Sequence, residues 1–357
     1  MNKKVTHAAS RRVNVAVVGL GFMGVKHLQS WQRIEQARLV AACGITRLPV
    51  HGRIAGVSGN LAGSGGVILP QGVKVFSNFE ELLSRPEIDL VDLCVPTPLH
   101  HLQAIAALKA GKHVICEKPM ARTSAMAEEM VAAAGEARLF LMPAMVMRFW
   151  PGWAWLKEAV NDGRYGKVLA ARFQRFSEPP GWSRQQYFDG KQSGGALLDL
   201  HIHDADFVQF LFGPPLGVFA SGRTQFSGAI DHVVSQYQVA GAAVVTAEGG
   251  WLTPKGHGFN MSYNVIFEKA AADYSMARGA DALLLCEAGR PRRVVKTKGP
   301  DGYVCELEYM ANCIQRGEAP RLVTAEEGLN AVRICEAEEK SVKTGRAVAL
   351  TRARHST

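Results

Sequence analysis

A glycine-rich turn between an apolar run and a helical segment constrains this sequence most. Residues 13–18 (Val-Asn-Val-Ala-Val-Val) have the composition of a buried parallel strand. The turn that follows contains Gly19, Gly21, Phe22, Met23 and Gly24. In a Gly-x-Gly-x-x-Gly pattern the first glycine permits a tight turn, the second lets the backbone approach a pyrophosphate, and the third lets helix pack on strand. Free N–H groups at the helix N-terminus favour anions. The stretch therefore predicts a dinucleotide-binding unit.

The end of the second predicted strand bears on the choice of dinucleotide. In such units an acidic residue at this point hydrogen-bonds the ribose 2′-hydroxyl. Here the strand 38–43 is followed by Gly44, and no carboxylate occurs up to Arg47. A hydroxyl and a guanidinium are suited to a 2′-phosphate. Thr46 and Arg47 therefore predict a preference for NADP over NAD, with a solvated loop as the alternative for Arg47.

The distribution of charge argues against nucleic acid as a partner. The chain of 357 residues has a formal net charge of +9, and segments 1–12 and 343–357 each carry four basic residues and no acidic one. The rest is close to neutral, which predicts no basic groove.

Seven scattered cysteines without a Cys-x-x-Cys pair are typical of reduced thiols in a cytoplasmic protein. No uncharged run resembles a membrane helix, so we expect no membrane partner.

Strand and helix patterns alternate up to about residue 145 and then change. The alternation predicts a parallel sheet with helical crossovers. Beyond it, alternating polar and apolar residues predict an antiparallel sheet with one covered face, in the stretches 168–176, 217–226, 233–239, 242–250 and 261–267. The predicted organisation is a basic N-terminal tail (1–11), an α/β domain (12–145), an α+β domain (146–345) and a basic C-terminal tail (346–357). A late helix at 325–343 is expected to return toward the first domain.

Four motifs in a fixed order carry a family resemblance. They are Gly19-x-Gly21-x-x-Gly24, Pro96-Thr-Pro-Leu-His100, Glu117-Lys118-Pro119 and Gly194-Gly-Ala-Leu-Leu-Asp199-Leu-His-Ile-His203-Asp204. With them the chain resembles the Gfo/Idh/MocA (glucose–fructose oxidoreductase / inositol dehydrogenase) family of NAD(P)-dependent oxidoreductases over roughly residues 12–345. The resemblance implies a Rossmann domain followed by a large open, mostly antiparallel sheet. It also implies a substrate cleft between the domains and a homodimer or homotetramer formed through that sheet.

The resemblance places the catalytic chemistry on Lys118, Asp199 and His203. A lysine at the carboxyl end of a strand, before a proline that fixes the turn, can direct its ammonium at a substrate oxygen. Asp199 and His203 are four residues apart, so a helix puts both on one face. His203 is the expected general base, and Asp199 is expected to bind a second hydroxyl or tune the histidine. Glu117 is expected to orient Lys118 or to bind the nicotinamide ribose.

His201 is a departure from the family pattern, in which glycine is common at this position. Together with His203 and Asp204 it suggests a metal site. On a helix, however, the two histidines point about 200° apart, so no metal is predicted. Asp204 and Asp206 are expected to make polar contacts at the helix turn.

Further residues are placed around the cleft by the resemblance. Pro96, Thr97 and His100 resemble the loop that closes over the nicotinamide end of the cofactor, with helix capping as an alternative for His100. Arg148 matches a segment near cofactor and substrate, with a surface salt bridge as its alternative.

The implied substrate is a sugar, an inositol or a related polyhydroxy compound. Trp182 or Tyr187 is expected to stack on the apolar face of a sugar ring, unless their segment is a plain surface loop or a dimer contact. The implied reaction moves a hydride between nicotinamide and a carbinol carbon. Two alternatives stay open. One is net non-redox chemistry such as glycoside cleavage through transient oxidation, and the other is a ligand-sensing regulator, against which the retained catalytic set argues.

Overall fold

The computed structural model describes residues 11–45, 48–57, 59, 65–181, 187–297 and 299–350. A six-stranded parallel sheet forms its first part, with strand order β5-β2-β1-β6-β7-β8. The strands here are β1 (Val13–Val18), β2 (Ala37–Cys43), β3 (Arg53–Ile54), β4 (Val67–Ile68), β5 (Lys74–Phe76), β6 (Leu90–Leu93), β7 (His113–Cys116) and β8 (Leu141–Pro143). The short strands β3 and β4 form a separate antiparallel pair.

Four helices connect these strands, and the order of the sheet brings three loops together. The helices are α1 (Phe22–Trp31), α2 (Phe79–Leu83), α3 (Thr97–Lys109) and α4 (Ser124–Ala137). Because β1, β6 and β7 are parallel neighbours, their carboxyl ends lie at one edge. The glycine turn, the loop starting at Val95 and the Glu117–Lys118 segment therefore meet there. The predicted doubly wound sheet is confirmed.

A nine-stranded sheet forms the second part of the chain, in the order β16-β15-β14-β13-β9-β12-β11-β10-β17. Its strands are β9 (Val168–Phe176), β10 (Gly217–Arg223), β11 (His232–Gln238), β12 (Val244–Gly250), β13 (Asn260–Phe267), β14 (Ala270–Ser275), β15 (Leu283–Glu287), β16 (Arg293–Val294) and β17 (Val348–Ala349). Among the described pairings of this sheet, that of β9 with β12 is parallel and the others are antiparallel. The five predicted strands are confirmed within a few residues. The strand β17 pairs with β10, so the predicted tail from residue 346 is wrong at its start.

The second part of the chain also contains helical segments, and several of them pack on this sheet. They are α5 (Pro151–Asn161), α6 (Gly190–Ser193), a π-helical turn (Leu197–His201), α7 (Ile202–Phe212), α8 (Gly302–Arg316) and α9 (Ala325–Thr344). Trp153 of α5 is fully buried and makes edge contacts with Phe207 of α7 and Tyr263 of β13. The helices α5 and α7 are thereby anchored to the sheet through aromatic packing.

The last two helices join the two parts of the chain. Asp301, the N-cap of α8, accepts hydrogen bonds from Val304 N and from Lys26 of α1. In α9, Glu336 accepts from the Ser124 hydroxyl at 2.6 Å, and Arg333 lies 2.7 Å from Glu128 of α4. Through these contacts α9, the late helix of the sequence prediction, packs on the first part of the chain. No helix in the described part of the chain is long and apolar enough to cross a membrane.

Candidate active site

A cavity of about 530 Å³ lies at the carboxyl edge of the parallel sheet. It is bordered by the glycine turn, by the loop and helix start at residues 95–103, by Glu117 and Lys118, and by Tyr187 and Asp199 from the second part of the chain. Ligands of doubly wound folds bind at this edge, and the volume is in the range of small-molecule sites. Both parts of the chain therefore contribute to one candidate site.

The glycine turn has the shape that a dinucleotide requires. Gly19 has φ +94°, and a Cβ there would lie 2.4 Å from the carbonyl oxygen of Cys94. A Cβ on Gly24 would lie 1.8 Å from the carbonyl oxygen of Gly19. A Cβ on Gly21 would meet nothing within 4 Å, and this residue borders the cavity together with Phe22 and Met23. The open approach at Gly21 and the N-terminus of α1, which has no side-chain cap, fit a bound pyrophosphate.

The end of β2 also borders the cavity. Gly44 and Ile45 line it, and Gly44 N donates to the carbonyl of Phe76. Thr46 and Arg47, which were predicted to bind a 2′-phosphate, lie outside the described residues. The described part of this edge thus presents backbone and an aliphatic side chain where many dinucleotide-binding domains have a carboxylate.

The central contact of the site joins Lys118 to Asp199 across the two parts of the chain. The Nζ atom of Lys118 donates to the Asp199 carbonyl at 2.6 Å and to its Oδ1 at 3.0 Å. The two side chains are 16% and 18% exposed, so the pair is shielded but accessible from the cavity. A charge-assisted contact of this kind fixes the direction of the ammonium.

A π-helical turn carries Asp199. It covers Leu197–His201 and continues directly into α7, which carries His203. The sequence predicted one ordinary helix over this stretch. Within this turn the Asp199 carbonyl accepts from Lys118, which its second lone pair permits beside a helical hydrogen bond. Such π-turns are frequent at functional sites.

His203 is half-buried, and its Nδ1 atom has no hydrogen-bond partner within the described part of the chain. Burial lowers its pKa well below the usual value, and the positive charges of Lys118 and Arg175 lower it further. The ring is therefore neutral at physiological pH. His203 is not among the described residues that border the cavity, so its role as general base stays a prediction. A neutral imidazole is the form that can accept a proton.

Two buried arginine–aspartate pairs stiffen the helix that carries His203. Arg175 of β9 contacts both carboxylate oxygens of Asp204, at 2.9 and 3.0 Å. Arg148 contacts both oxygens of Asp206, at 2.7 and 2.9 Å. Asp204 and Asp206 are thus more than turn contacts. Sequence reasoning missed Arg175 because nothing along a strand indicates which arginine turns inward.

Arg148 is a correction to the sequence-based assignment. Its side chain is fully buried, and besides Asp206 it donates to the Leu322 carbonyl and pairs with Glu327. It is absent from the described lining of the cavity. The guanidinium is used to hold α7 and α9 together, so we assign Arg148 to the framework of the second part and not to substrate binding.

His201 lies behind the site rather than in it. Its Nε2 atom is 3.2 Å from the Tyr237 hydroxyl and 3.1 Å from Oε1 of Glu338. The ring is fully buried, and Glu338 beside it raises its pKa despite the opposing effect of burial. His201 therefore ties the π-turn to β11 and α9.

The predicted cofactor loop borders the cavity with Pro96, Thr97 and His100. His100 is within α3 and is buried, with Nδ1 2.8 Å from the Pro119 carbonyl and Nε2 2.8 Å from the Val95 carbonyl. Burial lowers its pKa, so the neutral ring donates to one of these carbonyls at a time. It joins two loops of the site and does not cap the helix.

The aromatic residues expected over the substrate are only partly described. Tyr187 borders the cavity, and its ring packs edge-on against the ring of Trp251, with 6.2 Å between the two ring centroids. Trp182 lies outside the described residues. Glu117 borders the cavity, is 6% exposed, and accepts a hydrogen bond from the backbone N–H of Lys118 at 3.1 Å.

Comparison with known families assigns the chain. The model described as the oxidoreductase family with an NAD-binding Rossmann fold (GFO_IDH_MocA) matches residues 13–145, and the GFO/IDH/MocA C-terminal domain matches residues 153–273. This chain belongs to the Gfo/Idh/MocA family. Membership confirms the predicted fold class and makes the chain an oxidoreductase with an NAD-binding domain.

Relatives within the Gfo/Idh/MocA family include enzymes named for sugars and polyols. The chain is 27% identical over 351 residues to a myo-inositol 2-dehydrogenase of Thermotoga maritima, covering 95% of this chain and 98% of that protein. It is 39% identical over 142 residues to a 1,5-anhydro-D-fructose reductase of Ensifer adhaerens, covering 39% of this chain and 42% of that protein. The chain thus matches less than half the length of the reductase.

Solved structures share the fold over nearly the whole chain. A levoglucosan dehydrogenase in complex with NADH and levoglucosan superposes with a TM-score of 0.82 at 20% identity, covering 96% of this chain and all of that one. An aldose-aldose oxidoreductase from Caulobacter crescentus, complexed with glycerol, gives 0.79 at 24% identity, covering 95% and 100%. At these identities the similarity establishes the architecture.

Proposed function

We propose that this Gfo/Idh/MocA protein is an NAD(P)-dependent oxidoreductase that acts on a CH–OH group of a sugar, an inositol or a related polyhydroxy compound. The observation that carries the proposal is the Lys118–Asp199 contact at a cavity bordered by the glycine turn. It brings an ammonium and a carboxylate together beside the place suited to a dinucleotide. The names of the relatives support the substrate class.

The proposed mechanism divides the work between three side chains. Bound nicotinamide supplies the hydride acceptor or donor. In the oxidation direction, His203 accepts the proton of the substrate hydroxyl at its neutral imidazole. The Lys118 ammonium stabilises negative charge on the same oxygen, which is the kind of contact that is stronger in the transition state. Asp199 holds the Lys118 ammonium and accepts from a second substrate hydroxyl. In the reduction direction, His203 returns the proton.

The glycine turn would hold the cofactor with Gly19, Gly21, Phe22 and Met23, and Gly24 supports it by packing α1 on β1. Pro96, Thr97, His100 and Glu117 would border the nicotinamide end. We propose NADP ahead of NAD, because Gly44 and Ile45, which directly follow β2, carry no carboxylate that would repel a 2′-phosphate.

A screen of sugars, inositols and polyols with NAD and with NADP tests the function and the cofactor preference together. The readout is the change in nicotinamide absorbance. We expect at least one substrate class to change the absorbance, with a higher kcat/KM for NADP. The matched variant Arg47→Ala should reduce kcat/KM for NADP and leave the value for NAD unchanged. A large preference for NAD contradicts the cofactor proposal. Product formation without net absorbance change favours the non-redox alternative.

We propose that the exposed face of the nine-stranded sheet forms a homodimer or homotetramer interface between domains of residues 146–345. Phe219, Val234, Val244 and Ile266 are 44–57% exposed and lie on the strands β10 to β13. Apolar side chains on the uncovered face of a sheet mark an association surface. Light scattering should give a dimer or tetramer, and Phe219→Lys with Val234→Lys should give a monomer. A wild-type monomer at assay concentration contradicts this proposal.

A further inference from the structure

A buried chain of polar side chains runs behind the cavity from β6 to Glu117. Asp92 on β6 and His27 on α1 are both fully buried. The Nδ1 atom of His27 lies 3.0 and 2.9 Å from the two carboxylate oxygens of Asp92. On the other side of the ring, Nε2 lies 3.1 Å from Oε1 of Glu117, as an ion pair without a well-aligned hydrogen bond. The imidazole therefore lies between two carboxylates.

Both ends of this chain are held by further hydrogen bonds. Trp31 donates from Nε1 to Oδ2 of Asp92 at 2.7 Å. At the other end, the Glu117 carboxylate accepts the backbone N–H of Lys118 at 3.1 Å. The contacts starting at Asp92 therefore end at the peptide unit from which Lys118 extends into the cavity.

The surroundings favour the protonated form of His27. Burial opposes a charge on the ring, but Asp92 beside it holds its pKa well above the usual value. The other titratable groups that face the ring are Cys94 directly after β6, Glu117 after β7, and Tyr303 and Glu306 on α8. Burial and the charge of Glu117 raise the pKa of the Glu306 carboxyl well above its usual value, so that group is neutral. The imidazolium thus pairs with Asp92 and Glu117.

We propose that His27 and Asp92 are positioning residues, which hold the Glu117 carboxylate at the floor of the cavity and so fix the peptide unit that carries Lys118. The inference rests on the proposed catalytic role of Lys118. A misplacement of a catalytic group by about 1 Å can lower a rate by roughly 100-fold. A fixed carboxylate next to Lys118 is therefore expected to affect kcat through the position of the lysine. The buried hydrogen bonds and the ion pair around His27 supply such rigidity.

Three variants of the full chain test the proposal with the substrate found in the screen. Asp92→Asn keeps the shape but removes the charge that favours the imidazolium, so His27 loses its proton as pH rises through neutrality. We expect its kcat to be about ten-fold below wild type at about pH 8 and close to wild type at about pH 6. His27→Gln should give a loss of kcat that does not depend on pH. Trp31→Phe removes a donor to Asp92 and part of a buried ring, so it should lower the melting temperature and leave the pH profile unchanged.

Two measurements independent of turnover accompany the kinetics. Histidine-ring NMR of the ligand-free protein should show His27 titrating near neutral pH in Asp92→Asn and at higher pH in the wild type. Fluorescence titration with NADH checks that the cavity of each variant is intact. A pH profile of kcat for Asp92→Asn that runs parallel to the wild-type profile overturns the proposal. A kcat of His27→Gln equal to that of the wild type also overturns it. If Asp92→Asn does not fold, the kcat of His27→Gln decides alone. Unchanged turnover in Lys118→Ala would instead remove the proposed function, so the two failures are distinguishable.

Discussion

Replacing Lys118 by alanine is expected to lower kcat by about 10²- to 10⁴-fold, because the ammonium is the charge that stabilises the substrate oxygen. An ammonium has three donors, and the substrate oxygen is expected to accept the one that the Asp199 carbonyl and carboxylate do not use. Cofactor binding should be largely retained, because the glycine turn is formed without Lys118. The measurements are kcat with the screened substrate and the dissociation constant of the cofactor by fluorescence.

The matched control for Lys118 is Lys112→Met at the opposite end of β7. Lys112 is buried and donates to the carbonyls of Arg85 and Ile88 at 2.7 and 3.0 Å, so its loss should reduce stability without a large change in kcat. Turnover in Lys118→Ala equal to the wild type would remove the mechanism. Equal losses in the two variants would mean that general destabilisation, rather than a missing ammonium, lowers the rate.

His203→Gln is expected to lower kcat for alcohol oxidation by about 10²- to 10⁴-fold, because the variant lacks a base for the hydroxyl proton.

The pH profile of the wild type gives a second prediction. Because the pKa of His203 is lowered well below its usual value, the base stays deprotonated through the neutral range. The kcat/KM attributable to this group should therefore be flat near neutrality and fall only as pH drops through that lowered pKa.

The charge of Lys118 gives this pH dependence a specific check. Lys118 is one of the groups that lower the pKa of His203, so Lys118→Met should raise that pKa, which histidine-ring NMR of the ligand-free protein measures directly. His113→Gln is the control for His203→Gln and should keep the acid limb of the wild type. The pKa of His113 is also lowered by burial, but this residue starts β7 at the other edge of the sheet. An acid limb that is the same in wild type and His203→Gln would assign the titration to another group.

Sequence reasoning reached the local structure of the site better than its side-chain partners. The glycine turn could be predicted because its function depends on backbone shape, and glycine spacing records that shape directly. Arg148 was misplaced because a motif gives the position of an arginine and not the direction of its side chain. That direction is set by Asp206 and Glu327, which are 58 and 179 residues away in the chain.

The same limit applies to the turn that carries Asp199. Its residues are ordinary helix formers, so their pattern predicted a regular helix. The π-turn at Leu197–His201 depends on partners from distant elements, including Lys118 for the Asp199 carbonyl and Glu338 for His201. Local preference is overridden here by tertiary contacts.

The sequence by itself determined the parallel sheet, the antiparallel sheet and the dinucleotide turn, because hydrophobic period and glycine spacing are local records of burial and backbone shape. Tertiary structure alone decided which charged groups meet. It brought Lys118 to Asp199, left the pKa of His203 low, turned Arg148 inward and placed His27 between Asp92 and Glu117. The energy of a charged group depends on its distance to other charges and on its burial, and neither quantity is encoded in the spacing of residues along the chain.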